Sequence, residues 1–290
     1  MSTVVKYHAL GNDYLVADPA QGAPAPGADA TRLLCDRHTG VGADGVLYGP
    51  LPARGGADGA DVFDVRVFNS DGSECARSAN GLRVFARYLR EHGHTERDEI
   101  TVRTSAGTVH VRLGGRPGIG TIDLGTWTHH DPGQPGGAEL VDLPVELAPG
   151  VRVNVTAVFN GVPHVVMPVD DADAGTAARL GPALVGHSRF PARPNVEFLT
   201  VEDRRTIRIE IWERGAGYTL ASGSGACAAA CAARRLGLVD DRVTVVMPGG
   251  SVQVEIDGDE RVLLTGSCSR VGSTTLADEF LSLLNTERQP

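Results

Sequence analysis

The chain has 290 residues, 41% of them apolar, enough for one large domain or two of ordinary size around a proper core. Basic residues number 27 against 36 acidic, giving a net charge of −9, and no basic run occurs. That balance argues against nucleic acid or anionic membrane as the main partner. The segment Met1-Ser2-Thr3-Val4-Val5-Lys6 enters a strand with no apolar signal core, and no run of about 18 apolar residues follows, so a soluble cytosolic protein is expected.

Apolar alternation predicts strands at Val4–His8, Tyr14–Ala17, Gly45–Tyr48 and Asp64–Phe68. It predicts three more at Glu99–Thr104, Gly107–Leu113 and Gly120–Asp123. Helices interrupt them at Ala30–Arg37 and Asn80–His92; on the second, Leu82, Phe85, Ala86 and Leu89 share a face. Gly114–Gly118 reads as a turn and Asp131–Ala138 as a loop between halves. Strands resume at Gly150–Phe159, His164–Val169, Asn195–Val201, Thr206–Trp212, Arg242–Val246, Ser251–Ile256 and Val262–Ser267. Helices fit Ala172–Leu180, Gly223–Leu236 and Ala277–Leu284. The order of elements repeats, which predicts an internal duplication of topology with a site in the cleft between halves. The expected division is 1–122 plus 277–290 and 123–276.

Two segments rhyme. Ser78-Ala79-Asn80-Gly81 and Ser222-Gly223-Ser224-Gly225 both open a predicted helix. Helix starts present unsatisfied N–H groups and a positive dipole end. Two such ends would hold one carboxylate with a side chain on each side of it. Five cysteines, Cys35, Cys75, Cys227, Cys231 and Cys268, are spaced irregularly and predict no disulfide framework. Cys227 and Cys231, four apart among alanines, read as packing residues, and no Cys or His pair completes a zinc site. His38 reads as structural and His129-His130 as part of a solvated loop.

Six blocks follow one another in order. They are Lys6 to Tyr14, Asp36 to Gly45, Asn69 to Glu74 with Asn80-Gly81, and Gly161-Val162-Pro163-His164. The last two are Pro194 to Phe198, and Glu213-Arg214-Gly215 with Gly223 to Ala226. Together they resemble the diaminopimelate epimerase family, nearly end to end. The resemblance implies an α/β (α+β) fold of two pseudo-symmetric domains, each a curled mixed sheet around a central helix. It implies inversion of an amino-acid α-carbon without pyridoxal phosphate or another cofactor, and without metal. One cysteine per domain would serve as thiolate base or thiol acid. The physical logic agrees, because a weakly acidic α-proton needs preorganised positive potential and a tuned thiol.

This chain departs from that pattern where it matters most. Ser78 and Ser222 stand at the two cysteine positions. Ala79 replaces a usual Gly, Val162 a common Asn, and Tyr218 a usual Glu. Ala79, Asn80, Gly223 and Ser224 would bind the α-carboxylate through backbone N–H groups. Asn12, Asn69, Asn195 and Arg214 would read the far end of the substrate, and Arg214 favours a polar or anionic one. The resemblance implies that His164 and Glu213 flank the site, where they could activate a serine. Three readings of the serine pair follow: an isosteric exchange of native thiols, a natural divergence toward dehydration, cyclisation or double-bond isomerisation, or an inactive ligand-binding homologue. The expected partner is an amino acid, either diaminopimelate or one from specialised metabolism, with homodimer assembly left open.

Overall fold

A computed structural model describes residues 2–23, 25–51, 61–114, 116, 118–133 and 137–286. The predicted turn over 114–118 and loop over 131–138 therefore lie partly outside the described residues. The first elements are β1 (Thr3–Ala9), β2 (Asn12–Ala17), α1 (Ala28–Cys35), β3 (Gly45–Leu51), β4 (Val62–Asn69) and β5 (Glu74–Cys75). Then come α2 (Ala79–Glu91), β6 (Glu99–Thr104), β7 (Gly107–Leu113), β8 (Ile119–Thr126), β9 (Leu143–Ala148), β10 (Val151–Phe159) and β11 (Pro163–Pro168). They continue with α3 (Ala174–Val185), β12 (Asn195–Asp203), β13 (Thr206–Glu213), β14 (Gly217–Thr219) and α4 (Gly223–Arg235). The last are β15 (Arg242–Met247), β16 (Gly250–Ile256), β17 (Arg261–Ser267), β18 (Ser269–Thr275) and α5 (Asp278–Thr286). The chain divides into two compact units, 1–122 with 266–290, and 123–265.

The two units repeat one strand order. In the first, β1 pairs antiparallel with β2, β2 parallel with β3, β3 antiparallel with β4, and β4 parallel with β6. β7 and β8 follow antiparallel. In the second, β10 to β13, β15, β16 and β17 pair in the same sequence of senses. Each sheet also carries one antiparallel strand at its start, β18 on β1 and β9 on β10. The duplication predicted from element order is therefore a duplication of pairing.

Each sheet curls around one helix. α2 packs on β1, β2, β3, β6 and β7, and α4 on β10 to β13, β15 and β16. The expectation of one apolar face on α2 is too narrow: Val84, Phe85, Ala86, Tyr88 and Leu89 are all fully buried, and so is Arg83 nearly. A helix enclosed by a sheet keeps little solvent face, here Arg87, Arg90 and Glu91 towards its end. α4 meets the same demand with alanines, since Ala226, Ala228, Ala229, Ala230, Ala232 and Ala233 are fully buried. Alanine combines high helix propensity with the small radius such a slot requires.

Outside the curled sheets, α1 and α5 cover one face of the first unit through Leu34 and Leu284, with Leu276 just before α5. α3 covers the second through Ala177, Leu184 and Val185. α3 runs past the predicted end at Leu180, with Pro182 inside it. Asp173 caps it, accepting the Thr176 N–H at 2.7 Å. The helix passes close over Trp212: a Cβ on Gly181 would lie 2.4 Å from its Cγ. Gly181→Ala should therefore lower stability by about 1–3 kcal/mol through overpacking. The gain of about 0.4–1 kcal/mol expected from restricting the unfolded chain is smaller. A urea midpoint that stays put or rises would contradict this packing.

Candidate functional site

Both rhyming serines cap helices, and the two caps are nearly superposable in conformation. Ser78 precedes α2 at φ −128, ψ 119, and its Oγ accepts the Gly81 N–H at 3.1 Å. Ser222 precedes α4 at φ −134, ψ 120, and its Oγ accepts the Gly225 N–H at 3.2 Å. Each cap uses one helix-start donor. The geometry of a helix leaves the next two, on Ala79 and Asn80 or Gly223 and Ser224, without an intrahelical acceptor.

The third helical residue is glycine in both units for the same reason. A Cβ on Gly81 would sit 3.0 Å from Leu47 Cδ2, and one on Gly225 would sit 2.8 Å from Glu197 Oε1. Leu47 and Glu197 are each the third residue of their strand. The second unit thus places a carboxylate where the first has an isobutyl group.

In the first unit the surroundings of α2 form a chain of polar contacts. Asn80 Nδ2 donates to Asn12 Oδ1 at 3.1 Å, Asn12 Nδ2 to Asp44 Oδ2 at 3.0 Å, and Arg83 to Asn80 Oδ1 at 2.7 Å. Tyr14 Oη lies 2.8 Å from Ser78 Oγ. Asn69 stands apart from these contacts and donates to Ser73 Oγ at 2.9 Å within its own turn.

Asp13 anchors the start of β2. It accepts from Arg37 at 2.8 and 3.1 Å and from the Asp44 N–H at 3.0 Å, and it pairs with Lys6 at 2.9 Å. Burial alone would push its carboxyl up, but the Arg37 and Lys6 hydrogen bonds outweigh burial and hold it well below the ordinary range. A lowered folded value means the stabilisation is present above the unfolded pKa and lost as pH falls through the folded one. Asp13→Asn should therefore cost about 2 kcal/mol near neutrality. The deficit should shrink once the pH drops below about 4. Urea titrations at several pH values check this; a pH-independent deficit would contradict it.

In the second unit His164 and Glu197 form a sealed pair. Nδ1 and Oε1 are 2.8 Å apart, and both side chains are wholly buried. Their outer atoms, His164 Nε2 and Glu197 Oε2, have no hydrogen-bond partner among the described residues. Burial pushes the Glu197 carboxyl up, His164 opposes this, and the charge of Glu213 adds to the rise. The indole of Trp127 stands against the imidazole, ring centroids 6.0 Å apart. Asn195 Oδ1 accepts the Arg214 N–H at 2.9 Å, and the Arg214 guanidinium donates to Ala192 O at 2.8 Å. Tyr218 donates to Glu210 at 2.6 Å, and its phenol is pushed up to about 12, by burial first and then by Glu210.

The structure corrects one histidine. His129 is buried, not solvated: it bonds Ala157 O through Nδ1 at 2.9 Å, and burial lowers its pKa. His130 is exposed. Cys35, Cys227, Cys231 and Cys268 are buried, whereas Cys75 is half-buried and its thiol donates to Arg77 O. Cys227 and Cys231 are buried in α4, and burial pushes the Cys35 thiol up to about 12. No local sequence signal marks Tyr14, Asp44 or Glu197 as site residues. Glu197 sits in Val196-Glu197-Phe198, where both faces of the strand are buried, so alternation gives no sign of it.

Three comparisons bear on this geometry. The family model described as diaminopimelate epimerase matches residues 4–127 and 156–271. The "Diaminopimelate epimerase 2" of Nostoc sp. is 38% identical over 281 residues, covering 96% of each chain. The "Diaminopimelate epimerase" of Thioalkalivibrio sulfidiphilus is 40% identical over 272 residues, covering 92% of this chain and 95% of that one. Among solved structures, a hydroxyproline epimerase from Agrobacterium vitis with bound trans-4-hydroxy-L-proline superposes with a TM-score of 0.70 at 18% identity, covering 94% and 91%. A probable proline racemase from Agrobacterium radiobacter gives 0.70 at 17%, covering 98% and 96%. At those identities the likeness is one of fold.

Proposed function

The chain belongs to the diaminopimelate epimerase family, and from that premise we propose that it is an isomerase working at the α-carbon of an amino acid without pyridoxal phosphate. The observation that carries this is the matched pair of serine-capped helix starts in two units of equal topology. Each offers two N–H donors and a positive dipole end to an α-carboxylate, through Ala79 and Asn80 or Gly223 and Ser224. Inversion needs one proton carrier for each face of the carbon, and Ser78 and Ser222 hold those positions. The developing negative charge is met by preorganised amides.

Asn12, Asn69, Asn195 and Arg214 belong to the far end of the ligand in this reading. Diaminopimelate is the first candidate, because the relatives covering nearly the whole chain carry that name. Tyr218, tied to Glu210, and Val162, 37% exposed, alter that end and extend the candidates to other amino acids with a polar terminus. A second reading, dehydration, cyclisation or double-bond isomerisation, draws on one observation: a buried imidazole braced by a carboxyl group, His164 on Glu197, with Glu213 acting on that carboxyl.

The test is proton NMR in deuterium oxide with a panel of amino acids that includes diaminopimelate isomers. Loss of the α-proton signal together with appearance of the other stereoisomer is the expected result. A product with altered unsaturation would establish the second reading instead. Binding without any turnover would leave only a ligand-binding homologue.

A further inference from the structure

We propose that Tyr14 is the proton partner of Ser78, passing its hydroxyl proton to Ser78 Oγ as Ser78 delivers its own to the α-carbon. The inference rests on the isomerase reading above and deepens it. Tyr14 is 7% exposed, and its Oη stands 2.8 Å from Ser78 Oγ. The serine oxygen also accepts the Gly81 N–H, so it sits between a phenol and the positive end of α2.

The ring is held firmly. Tyr14 pairs in register with Gly45, the first residue of β3. A Cβ there would lie 2.4 Å from Phe68 O and 2.8 Å from Tyr14 Cε1. The phenol therefore lies directly against bare backbone. A phenylalanine would fill this slot equally well, so packing alone does not call for the hydroxyl.

The internal duplication supports the same role. In the second unit, the residue in register with the first residue of β12, Asn195, is His164. Tyr14 and His164 thus occupy equivalent positions on equivalent strands. Both units put a ring that can carry a proton at that place. The need is chemical. An alcohol does not ionise usefully near neutrality, whereas a phenol titrates near 10.

The step balances. The carbanion pair takes the Ser78 hydroxyl proton and forms C–H. Ser78 Oγ regains a proton from Tyr14, and the charge rests on tyrosinate until water reprotonates it. In the reverse direction, tyrosinate receives the α-proton through Ser78.

The test is a double-mutant cycle read by α-proton exchange in deuterium oxide. Tyr14→Phe is made in the Ser78 chain and in the Ser78→Cys chain. A thiol ionises without a phenol, so the loss should be at least about tenfold larger in the Ser78 chain. Equal losses in both backgrounds would mean a packing role and overturn the proposal while leaving the isomerase reading intact. Absence of exchange in all four forms would overturn the isomerase reading and the relay with it. If Tyr14→Phe fails to fold, the Tyr14 hydroxyl proton is followed by NMR. Its exchange with solvent should quicken at least about tenfold in Ser78→Ala, and unchanged protection would overturn the proposal.

Discussion

Converting Ser78 and Ser222 together to cysteine raises the rate of α-proton exchange by at least about 10²-fold, and up to about 10⁴-fold. The reasoning is electrostatic. Each Oγ now accepts a helix-start N–H, at 3.1 Å from Gly81 and 3.2 Å from Gly225. A sulfur in the same place would receive the same donor and the same dipole, and both favour the thiolate. A thiol starts near 8.5, within reach of neutrality, where an alcohol is not. A single conversion supplies one competent face only. It should restore exchange from one enantiomer more than it restores inversion. Proton NMR in deuterium oxide measures exchange, and chiral chromatography measures inversion. No gain from the double variant on any amino acid of the panel would sink the assignment of these two positions.

Removing the Glu197 side chain has the largest expected effect on stability. Glu197→Ala should cost about 3–5 kcal/mol, because it opens a cavity and orphans a buried imidazole nitrogen. Glu197→Gln should cost less, since an amide can still bond His164 Nδ1. The two variants also separate by pH. Burial raises the Glu197 carboxyl above its ordinary value, with His164 working against that rise. A raised folded pKa means the native state keeps a proton that the unfolded chain has released. Stability from this group is full below the unfolded value, about 4.3, and declines as pH rises toward the folded value. Glu197→Gln lacks that decline. Urea titrations from mildly acidic to neutral pH should show the gap between wild type and Glu197→Gln changing over this window. A constant gap would contradict a protonated buried Glu197.

Much of the fold is legible in the sequence because half-buried strands alternate. β6 and β7 are read to the residue, and the helix start at Ser222 is visible in its small residues. What escapes has physical causes. β18 is exposed along nearly its whole length, so no apolar pattern marks Ser269–Thr275 as a strand. β9 does alternate in burial, but Pro144 within so short a run argues against a strand. α3 continues past Gly181-Pro182 because its packing against Trp212 outweighs the missing N–H.

The candidate site divides the same way. Ser78, Ser222 and their neighbours are readable because caps are local. Tyr14 and Glu197 are not, because their meaning lies in register. Only the pairing of Tyr14 with Gly45, and of His164 with Asn195, reveals the two rings as counterparts. Asn195 and Arg214 also carry more internal structure than the resemblance implies, since Asn195 already accepts the Arg214 N–H and the Arg214 guanidinium already donates to Ala192 O, just before β12.

Backbone amide NMR tests most directly whether the two serine-capped turns hold an amino-acid α-carboxylate. An amino acid that the protein processes is titrated beside the corresponding amine, which lacks the carboxylate. With the amino acid, the amides of Ala79 and Asn80 and those of Gly223 and Ser224 should shift together and saturate at one concentration. With the amine, they should stay in place. Shifts at one helix only, or equal shifts with the amine, would contradict a carboxylate held by both turns.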